Sequence, residues 1–180
     1  GQEVTTIKRN ELAELRHQIG FLFQSGALYD SMSVRQNLEF PLRRMKKKLR
    51  DSEIETKIKE VLTNVCLADA IDKMPSELSG GMRKRIALAR TIVVDPRIML
   101  YDEPTTGLDP STSQEISELI LELQQKYKTA SIIITHDIAC ARMVANRLIM
   151  LQDGKVYKEG ILADFEKSDD KIIGAFFNSI

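Results

Sequence analysis

The sequence has few cysteines, no long apolar run and no net charge, and each shortage excludes a class of protein. Its two cysteines are too few for a disulfide scaffold; both lie among apolar residues, which predicts buried thiols in a reducing compartment. No apolar run approaches the ~20 residues of a membrane-spanning helix. The 26 basic residues balance 26 acidic ones, so no overall field attracts nucleic acid. The 180 residues suffice for one domain with a packed core.

Strand-like and helix-like segments alternate along the chain. Apolar runs at residues 19–23, 98–101 and 130–135 predict strands, and the last is continuous enough for a strand buried on both faces. Amphipathic stretches near residues 8–16 and 110–126 predict helices. This alternation predicts an α/β fold with a mostly parallel sheet.

Residues 25–76 have helical periodicity and no strand pattern. Ser33 is placed to cap a helix beginning at Val34, and Pro41 is expected to end or kink that helix. Ser52 opens a capping-box pattern ahead of a second amphipathic helix. The basic run at residues 43–50 fits two interpretations: a solvated helix face, or a contact with lipid headgroups or nucleic-acid phosphates.

A Ser-Gly-Gly turn opens the next helix, within residues 78–85. Ser79 is a good N-cap, and Gly80 and Gly81 allow a ligand to approach the backbone closely. A helix N-terminus presents free N–H groups, so this turn is a potential anion site.

Residues 98–104 form an apolar run that ends in two adjacent carboxylates. Asp102 is suited to a hydrated Mg²⁺, and Glu103 is suited to orient or deprotonate an attacking water. Neighbouring side chains on a strand point to opposite faces, so both can serve one site only if the strand ends there. Pro104 favours that end.

Polar residues follow the other predicted strands. Gln24 comes after the run at residues 19–23, and His136 after the run at residues 130–135. Asp109, just before Pro110, is placed to cap a helix and stands in a Thr-Gly-Leu-Asp segment.

These segments, in this order, resemble the nucleotide-binding domain of ABC ATPases. The LSGGM of residues 78–82 is similar to the family's signature motif, with Met82 where glutamine is commoner. Residues 98–104 are similar to Walker B, 106–109 to the D-loop, 135–137 to the switch-histidine loop and 23–24 to the Q-loop. The resemblance implies a P-loop-NTPase-like sheet core with an α-helical signature subdomain. It also implies that residues 1–180 form a single domain. Residues 1–24 and 95–180 would belong to its sheet core, and residues 25–94 would form the helical subdomain.

The resemblance also implies a role for each site residue, with ATP and Mg²⁺ bound. Asp102 and Gln24 would ligate the metal, Glu103 would be the catalytic base and His136 would contact the γ-phosphate. In a head-to-tail homodimer, Ser79, Gly80 and Gly81 would complete the partner's site, and Asp109 would lie at the dimer seam.

The family's most diagnostic element is missing, because no G-x-x-x-x-G-K-[ST] segment occurs in the chain. The chain begins at Gly1, so we expect an N-terminal part with Walker A to be absent from it. We therefore expect these 180 residues alone to bind ATP poorly and to hydrolyse none. The resemblance further implies that the missing strand lies between the strand ending at Asp102 and the strand leading to His136.

Residues 24–42, together with LSGGM, resemble the ATPase subunit of MCE-type (Mla-like) phospholipid transport systems. This implies membrane permease subunits, an MCE-domain lipid-binding protein and a place on the cytoplasmic face of the inner membrane, with no nucleic acid bound. Leu28, Tyr29 and Met32 would form an apolar docking patch. Two alternatives remain: an ABC ATPase acting on nucleic acid or ribosomes, and the ATPase of a small-solute importer.

Overall fold

The computed structural model describes residues 3–45 and 47–177, which divide into two compact units: one ends at Ile134, the other begins at Thr135. The helices are α1 (Arg9–His17), α2 (Val34–Arg43), α3 (Asp51–Asn64), α4 (Gly80–Ile92), α5 (Pro110–Tyr127), α6 (Ile138–Val144), α7 (Leu162–Glu166) and α8 (Lys171–Phe177). The strands are β1 (Ile19–Leu22), β2 (Ile98–Asp102), β3 (Ala130–Ile134), β4 (Leu148–Gln152) and β5 (Lys155–Gly160).

The first unit is built on a three-stranded parallel sheet in the order β1–β2–β3. The helices between these strands confirm the predicted α/β fold with a parallel sheet. β2 and β3 pair directly, from Ile98 opposite Ala130 to Asp102 opposite Ile134. The prediction that another strand separates them is therefore wrong, because the two strands satisfy each other's backbone groups along their whole length.

Helix α4 packs closely against β1 on one face of this sheet. A Cβ atom on Gly20 would lie 2.6 Å from both the Thr91 methyl group and the Met99 sulfur, so only glycine permits this approach. Met99 and Tyr101 of β2 are buried on the same face. Burial also raises the pKa of the Tyr101 hydroxyl to about 12, because the phenolate would be poorly solvated.

The opposite face of the sheet is exposed. Phe21, Ile132 and Ile134 have 43%, 61% and 64% of their surface accessible. The prediction that residues 130–135 are buried on both faces is wrong: alternate side chains point to opposite faces, and only the face against α4 is covered in the described residues.

The helical segment after β1 confirms two of the predicted patterns. The Ser33 hydroxyl accepts from the Gln36 backbone N–H, and the Gln36 side-chain oxygen accepts from the Ser33 N–H at 2.8 Å. The second amphipathic helix is present as α3, and its apolar side is buried: Ile54, Ile58, Val61 and Leu62, followed by Val65 just beyond its end. α2, α3 and α4 pack together through such faces.

Two local predictions, those for Ser52 and Cys66, are wrong, and one of the two alternatives at Pro41 is excluded. Pro41 does not end α2, which continues for two more residues to Arg43; ending the helix is one of the two effects expected of that proline. α3 is capped at Arg50, whose N–H donates to Glu53 at 2.8 Å, so Ser52 lies inside the first turn. Cys66 is exposed and has a positive φ of 56°, whereas Cys140 is buried as expected.

The second unit joins the antiparallel hairpin β4–β5 to the short helices α6, α7 and α8. Phe165, Ile173 and Phe177 form its buried cluster, against which Leu148 and Met150 of β4 pack. The hairpin turns at Asp153 and Gly154, both with positive φ, as the Asp-Gly pair predicts. Across residues 3–45 and 47–177, no helix combines the length and the hydropathy that crossing a membrane requires.

The loop before α2 is held by one buried side chain, Asn37, which is 0% exposed. Its amide nitrogen donates to the carbonyl oxygens of Tyr29, Met32 and Ser33, at 3.1, 2.9 and 3.1 Å. Its amide oxygen accepts from the Tyr29 N–H at 2.9 Å. A single carboxamide therefore fixes the backbone of the segment that contains the predicted docking patch.

We predict that Asn37→Leu lowers the free energy of unfolding by about 2 kcal/mol or more, because each buried polar group left unpaired costs ~1–3 kcal/mol. Urea unfolding followed by circular dichroism measures this change. Gln125→Leu, on the exposed side of α5, is the matched control and should change stability by less than ~0.5 kcal/mol. Equal effects of the two variants would contradict the assigned role of Asn37.

Candidate functional site

The C-terminal end of β2 turns sharply and brings two carboxylates to the same edge of the sheet. The strand ends at Asp102, and Glu103 has a φ of 48°, a left-handed conformation that costs a non-glycine residue about 1–2 kcal/mol. The Glu103 N–H donates to the Ile134 carbonyl oxygen at 2.9 Å, and its carboxylate accepts from the Thr106 hydroxyl at 3.1 Å. Both carboxylates are partly exposed. The C-terminal edge of a parallel sheet is where ligands bind in open α/β folds.

The Ser-Gly-Gly turn and the Thr-Gly-Leu-Asp segment line a common surface cavity of about 380 Å³. Ser79 caps α4 as predicted, its hydroxyl accepting from the Met82 N–H at 3.2 Å. The cavity wall includes Ser79, Gly80, Gly81, Met82 and Asp109. Two segments separated by some 25 residues in the sequence thus meet at one surface, which their order in the chain alone does not reveal.

Asp109 caps α5, as its place before Pro110 predicts. Its carboxylate accepts from the Thr112 N–H at 3.0 Å and from the Thr112 hydroxyl at 2.6 Å. These hydrogen bonds hold the pKa of Asp109 below its ordinary value. Its stabilising effect is therefore present above the pKa of the unfolded chain and is lost as pH falls through the folded-state pKa.

Lys84 is the site residue that the sequence analysis missed. Its side chain is on the buried face of α4, and the residue is only 6% exposed. Its ammonium group donates to the Gln24 carbonyl oxygen at 2.5 Å and to the Glu103 carbonyl oxygen at 3.3 Å. Burial lowers the pKa of Lys84, an effect that the nearby Asp102 and Glu103 carboxylates oppose. Its burial could have been predicted from its position, since Lys84 lies three and four residues before Ala87 and Leu88, on the buried face of the same helix.

The remaining predicted site residues lie near strand ends. Gln24 is two residues beyond β1, with an exposed side chain and a backbone carbonyl held by Lys84. His136 is two residues beyond β3; it is exposed and belongs to the second unit. Asp137 then caps α6, its carboxylate accepting from the Cys140 N–H at 3.1 Å.

The acidic side chains suit magnesium better than a transition metal. In the described part of the chain, His, Cys, Asp and Glu side chains form no group of three or more that could hold a metal ion. Mg²⁺ does not need such a group, because it binds through one or two carboxylates together with water and substrate phosphates. The oxygen donors of Asp102 and Gln24 fit that chemistry.

Arg43 and Arg50, at the two ends of the basic run at residues 43–50, form ion pairs with acidic side chains on either side of the run. Lys46 lies outside the described residues. Arg43 pairs with Glu39 at 2.5 Å and with Asp51 at 2.9 Å, and Arg50 pairs with Glu53 at 3.2 Å. These pairs neutralise part of the run. The prediction of a solvated helix face is wrong, because α2 ends at Arg43 and α3 begins at Asp51, so the run lies between the two helices.

We predict that Gly80→Ala preserves or raises the unfolding temperature, whereas Gly81→Ala lowers it. A Cβ on Gly80 would meet only the Leu108 side chain, at 3.5 Å, but one on Gly81 would lie 2.7 Å from the Thr112 methyl group. Thr112 cannot simply move, because its hydroxyl is bound to Asp109. Overpacking of this kind costs ~1–3 kcal/mol.

Thr112→Ser supplies the control for this effect, because it removes the methyl group and keeps the hydroxyl. Differential scanning fluorimetry should show the double variant Gly81→Ala, Thr112→Ser recovering stability relative to Gly81→Ala alone. The same unfolding temperature for Gly80→Ala and Gly81→Ala would contradict the clash.

Comparison with known proteins identifies the family to which the chain is related. A family model described as "ABC transporter" matches residues 1–106. The "Probable ribonucleotide transport ATP-binding protein mkl" of Mycobacterium leprae is 39% identical over 178 residues, covering 99% of this chain and 51% of the relative. The methionine import ATP-binding protein MetN of Carboxydothermus hydrogenoformans is 38% identical over 164 residues, which cover 91% of this chain and 48% of that relative. The chain thus spans about half the length of these curated relatives.

Solved structures share the fold. The dimeric ATP-binding cassette MJ0796, in a post-hydrolysis state bound to ADP and Pi, aligns with a TM-score of 0.76 at 32% identity, over 87% of this chain and 68% of that one. CbiO1 from Clostridium perfringens, part of the ABC transporter complex cbiONQ, aligns with a TM-score of 0.78 at 33% identity. The alignment covers 86% of this chain and 61% of that one. The chain belongs to the ABC transporter family, as its motifs and their order indicate.

Proposed function

We propose that the protein carrying this chain is the ATP-hydrolysing subunit of an ABC transporter. The observation that carries the proposal is the turn after β2, which brings Asp102 and Glu103 together at the C-terminal edge of the parallel sheet. The relatives named as ATP-binding proteins of transporters support the same conclusion. The methionine and ribonucleotide relatives span twice the length of this chain, so the activity is assigned to the complete gene product.

Glu103 is the catalytic base in this proposal. Its carboxylate takes a proton from a water molecule as that water attacks the γ-phosphorus of ATP, and the bond to the β-phosphate oxygen breaks to leave ADP and phosphate. The Thr106 hydroxyl, 3.1 Å from the Glu103 carboxylate, restricts its orientation. His136, beyond β3, is proposed to hydrogen-bond the γ-phosphate.

Asp102 and Gln24 are proposed to hold the magnesium ion that accompanies the nucleotide. Mg²⁺ would supply neutralisation of phosphate charge in the transition state. The P-loop that grips the β- and γ-phosphates in such enzymes does not occur in these 180 residues. We therefore propose that the chain by itself does not hydrolyse ATP.

The cavity that joins the signature turn to the Thr-Gly-Leu-Asp segment is proposed as a dimer contact. Ser79, Gly80 and Gly81 present the N-terminus of α4, where backbone N–H groups and the helix dipole favour an anion. In a head-to-tail homodimer this end would cap the γ-phosphate bound by the partner, with Asp109 beside it. The structure of MJ0796 is that of a dimer, which supports this arrangement.

Permease subunits are proposed to dock on the segment between β1 and α2. Tyr29 is 41% exposed, contacts Phe40 edge-on at 5.0 Å and is covered on one side by the Arg90 guanidinium at 4.8 Å. Arg44 lies over Phe40 at 4.0 Å. Because Asn37 fixes the backbone beneath, the surface is ordered before any partner binds, which lowers the entropic cost of association. The proposed location is the cytoplasmic face of the inner membrane.

The transported substrate is proposed to be a phospholipid, delivered through an MCE-domain partner. Its support is the resemblance of residues 24–42 and LSGGM to the ATPases of MCE-type systems. The methionine and ribonucleotide relatives favour a second candidate, a small-solute importer. Both candidates assign the same chemistry to this chain and differ only in the permease that it drives.

We predict that Glu103→Gln in the complete gene product, assembled with its permease, lowers ATP turnover by ~10²–10⁴-fold while ATP binding is retained. The amide keeps the shape of the side chain and cannot accept the proton. Phosphate release and nucleotide titration measure the two effects. Glu122→Gln, on the exposed side of α5, is the control with unchanged turnover; a normal rate in Glu103→Gln would refute its role.

We predict that phospholipid, and neither methionine nor ribonucleotide, stimulates ATP turnover of the assembled transporter in detergent. Phospholipid should also co-purify with the assembly in an amount that depends on the MCE-domain partner, as mass spectrometry of extracted lipid would show. Stimulation by methionine or a ribonucleotide, with no effect of phospholipid, would identify the small-solute importer instead.

A further inference from the structure

We propose that Lys84 is a positioning residue that ties the Gln24 loop to Glu103 and keeps the catalytic carboxylate in its productive conformation. This inference rests on the role proposed for Glu103. Lys84 is the only lysine among the described residues that is both buried and in contact with two separate loops. It is five residues beyond Ser79 on α4, so the same helix carries the signature turn and this contact.

The two oxygen atoms that Lys84 contacts belong to the backbone, so the contact does not depend on the rotamers of Gln24 and Glu103. One is the Gln24 carbonyl, just beyond β1, and the other is the Glu103 carbonyl, just beyond β2. The ends of two parallel strands are thereby held by one ammonium group. Charge-assisted hydrogen bonds of this kind are about twice as strong as neutral ones.

Glu103 needs such support because its backbone is strained. With a φ of 48° it occupies a region that disfavours side chains with a Cβ, and strained residues persist only where surrounding contacts determine them. Its N–H donates to the Ile134 carbonyl oxygen, and its own carbonyl oxygen accepts from the Lys84 ammonium group and from the Thr106 N–H, each at 3.3 Å. Without Lys84, the turn loses the one of these three restraints that links it to α4 and to the Gln24 loop.

The consequence is a coupling between α4 and the reacting carboxylate. A displacement of α4 would move the Lys84 ammonium group and, with it, the backbone of Glu103 and Gln24. A change of about 1 Å in the position of a catalytic group can lower a rate by ~10²-fold. Loss of the Lys84 contacts should therefore affect the chemical step more than nucleotide binding.

The test is Lys84→Met in the complete gene product assembled with its permease, with Lys73→Met as the matched control at an exposed position. We expect kcat for ATP to fall about 10- to 100-fold in Lys84→Met while KM changes less than about twofold. Lys73→Met should leave both constants unchanged. An unchanged kcat in folded Lys84→Met, or a rise in KM with kcat intact, would overturn the proposal.

A second measurement separates this inference from the proposed function. Hydrogen–deuterium exchange should become faster in peptides covering residues 24–28 and 103–108 of Lys84→Met, and not of Lys73→Met, whether or not the protein hydrolyses ATP. An absence of ATPase activity in the wild type would refute the proposed function alone. Unchanged exchange of both segments in Lys84→Met would overturn the present inference, whatever the ATPase activity.

Lys84→Gln covers the case in which Lys84→Met does not fold. The shorter side chain keeps a polar group in the buried position but does not reach both carbonyl oxygen atoms. The same selective loss of kcat and the same faster exchange are expected. Wild-type kcat and exchange in Lys84→Gln would overturn the proposal.

Discussion

The close packing of α4 on the parallel sheet is the constraint on which the candidate site depends. At Gly20 the helix and strand approach so closely that a single Cβ would collide with Thr91 and Met99. Because α4 is rigid over 13 residues, this contact near its C-terminal end also determines where its N-terminal half lies. The signature turn at Ser79 and the ammonium group of Lys84 are thereby placed relative to the ends of β1 and β2. A site assembled from loops is thus positioned by one helix–sheet contact.

The sequence predicted those parts of the fold that depend on local chemistry. Ser33, Ser79 and Asp109 cap their helices as their positions indicated, because capping is decided by a side chain and the backbone three residues away. The end of β2 at Asp102 followed from the carboxylates and Pro104 that succeed it. The wrong local prediction at Ser52 was off by two residues, which is the usual uncertainty of helix ends.

Features that depend on tertiary contacts were beyond reach of the same reasoning. Strand order is one: the register of β2 with β3 is a pairing between residues about 30 positions apart, and hydrophobic periodicity carries no information about neighbours in a sheet. Burial is another, since the apolar pattern of β3 fits either one covered face or two. Lys84 combines both difficulties, because a lysine is normally exposed and its partners are carbonyl groups that every residue possesses.

The free-energy cost of burying Lys84 and the cost of the left-handed conformation of Glu103 are offset by the contact between the two residues. Leaving the Glu103 turn in a disfavoured conformation costs free energy, and so does removing an ammonium group from water. Placed together, the cation binds the carbonyl of the strained residue while Asp102 and Glu103 partly compensate its charge. Each feature is costly by itself, which argues that this part of the chain is arranged to hold the two carboxylates at the sheet edge. A structural core alone would be served as well by an apolar residue at position 84 and an ordinary turn after β2.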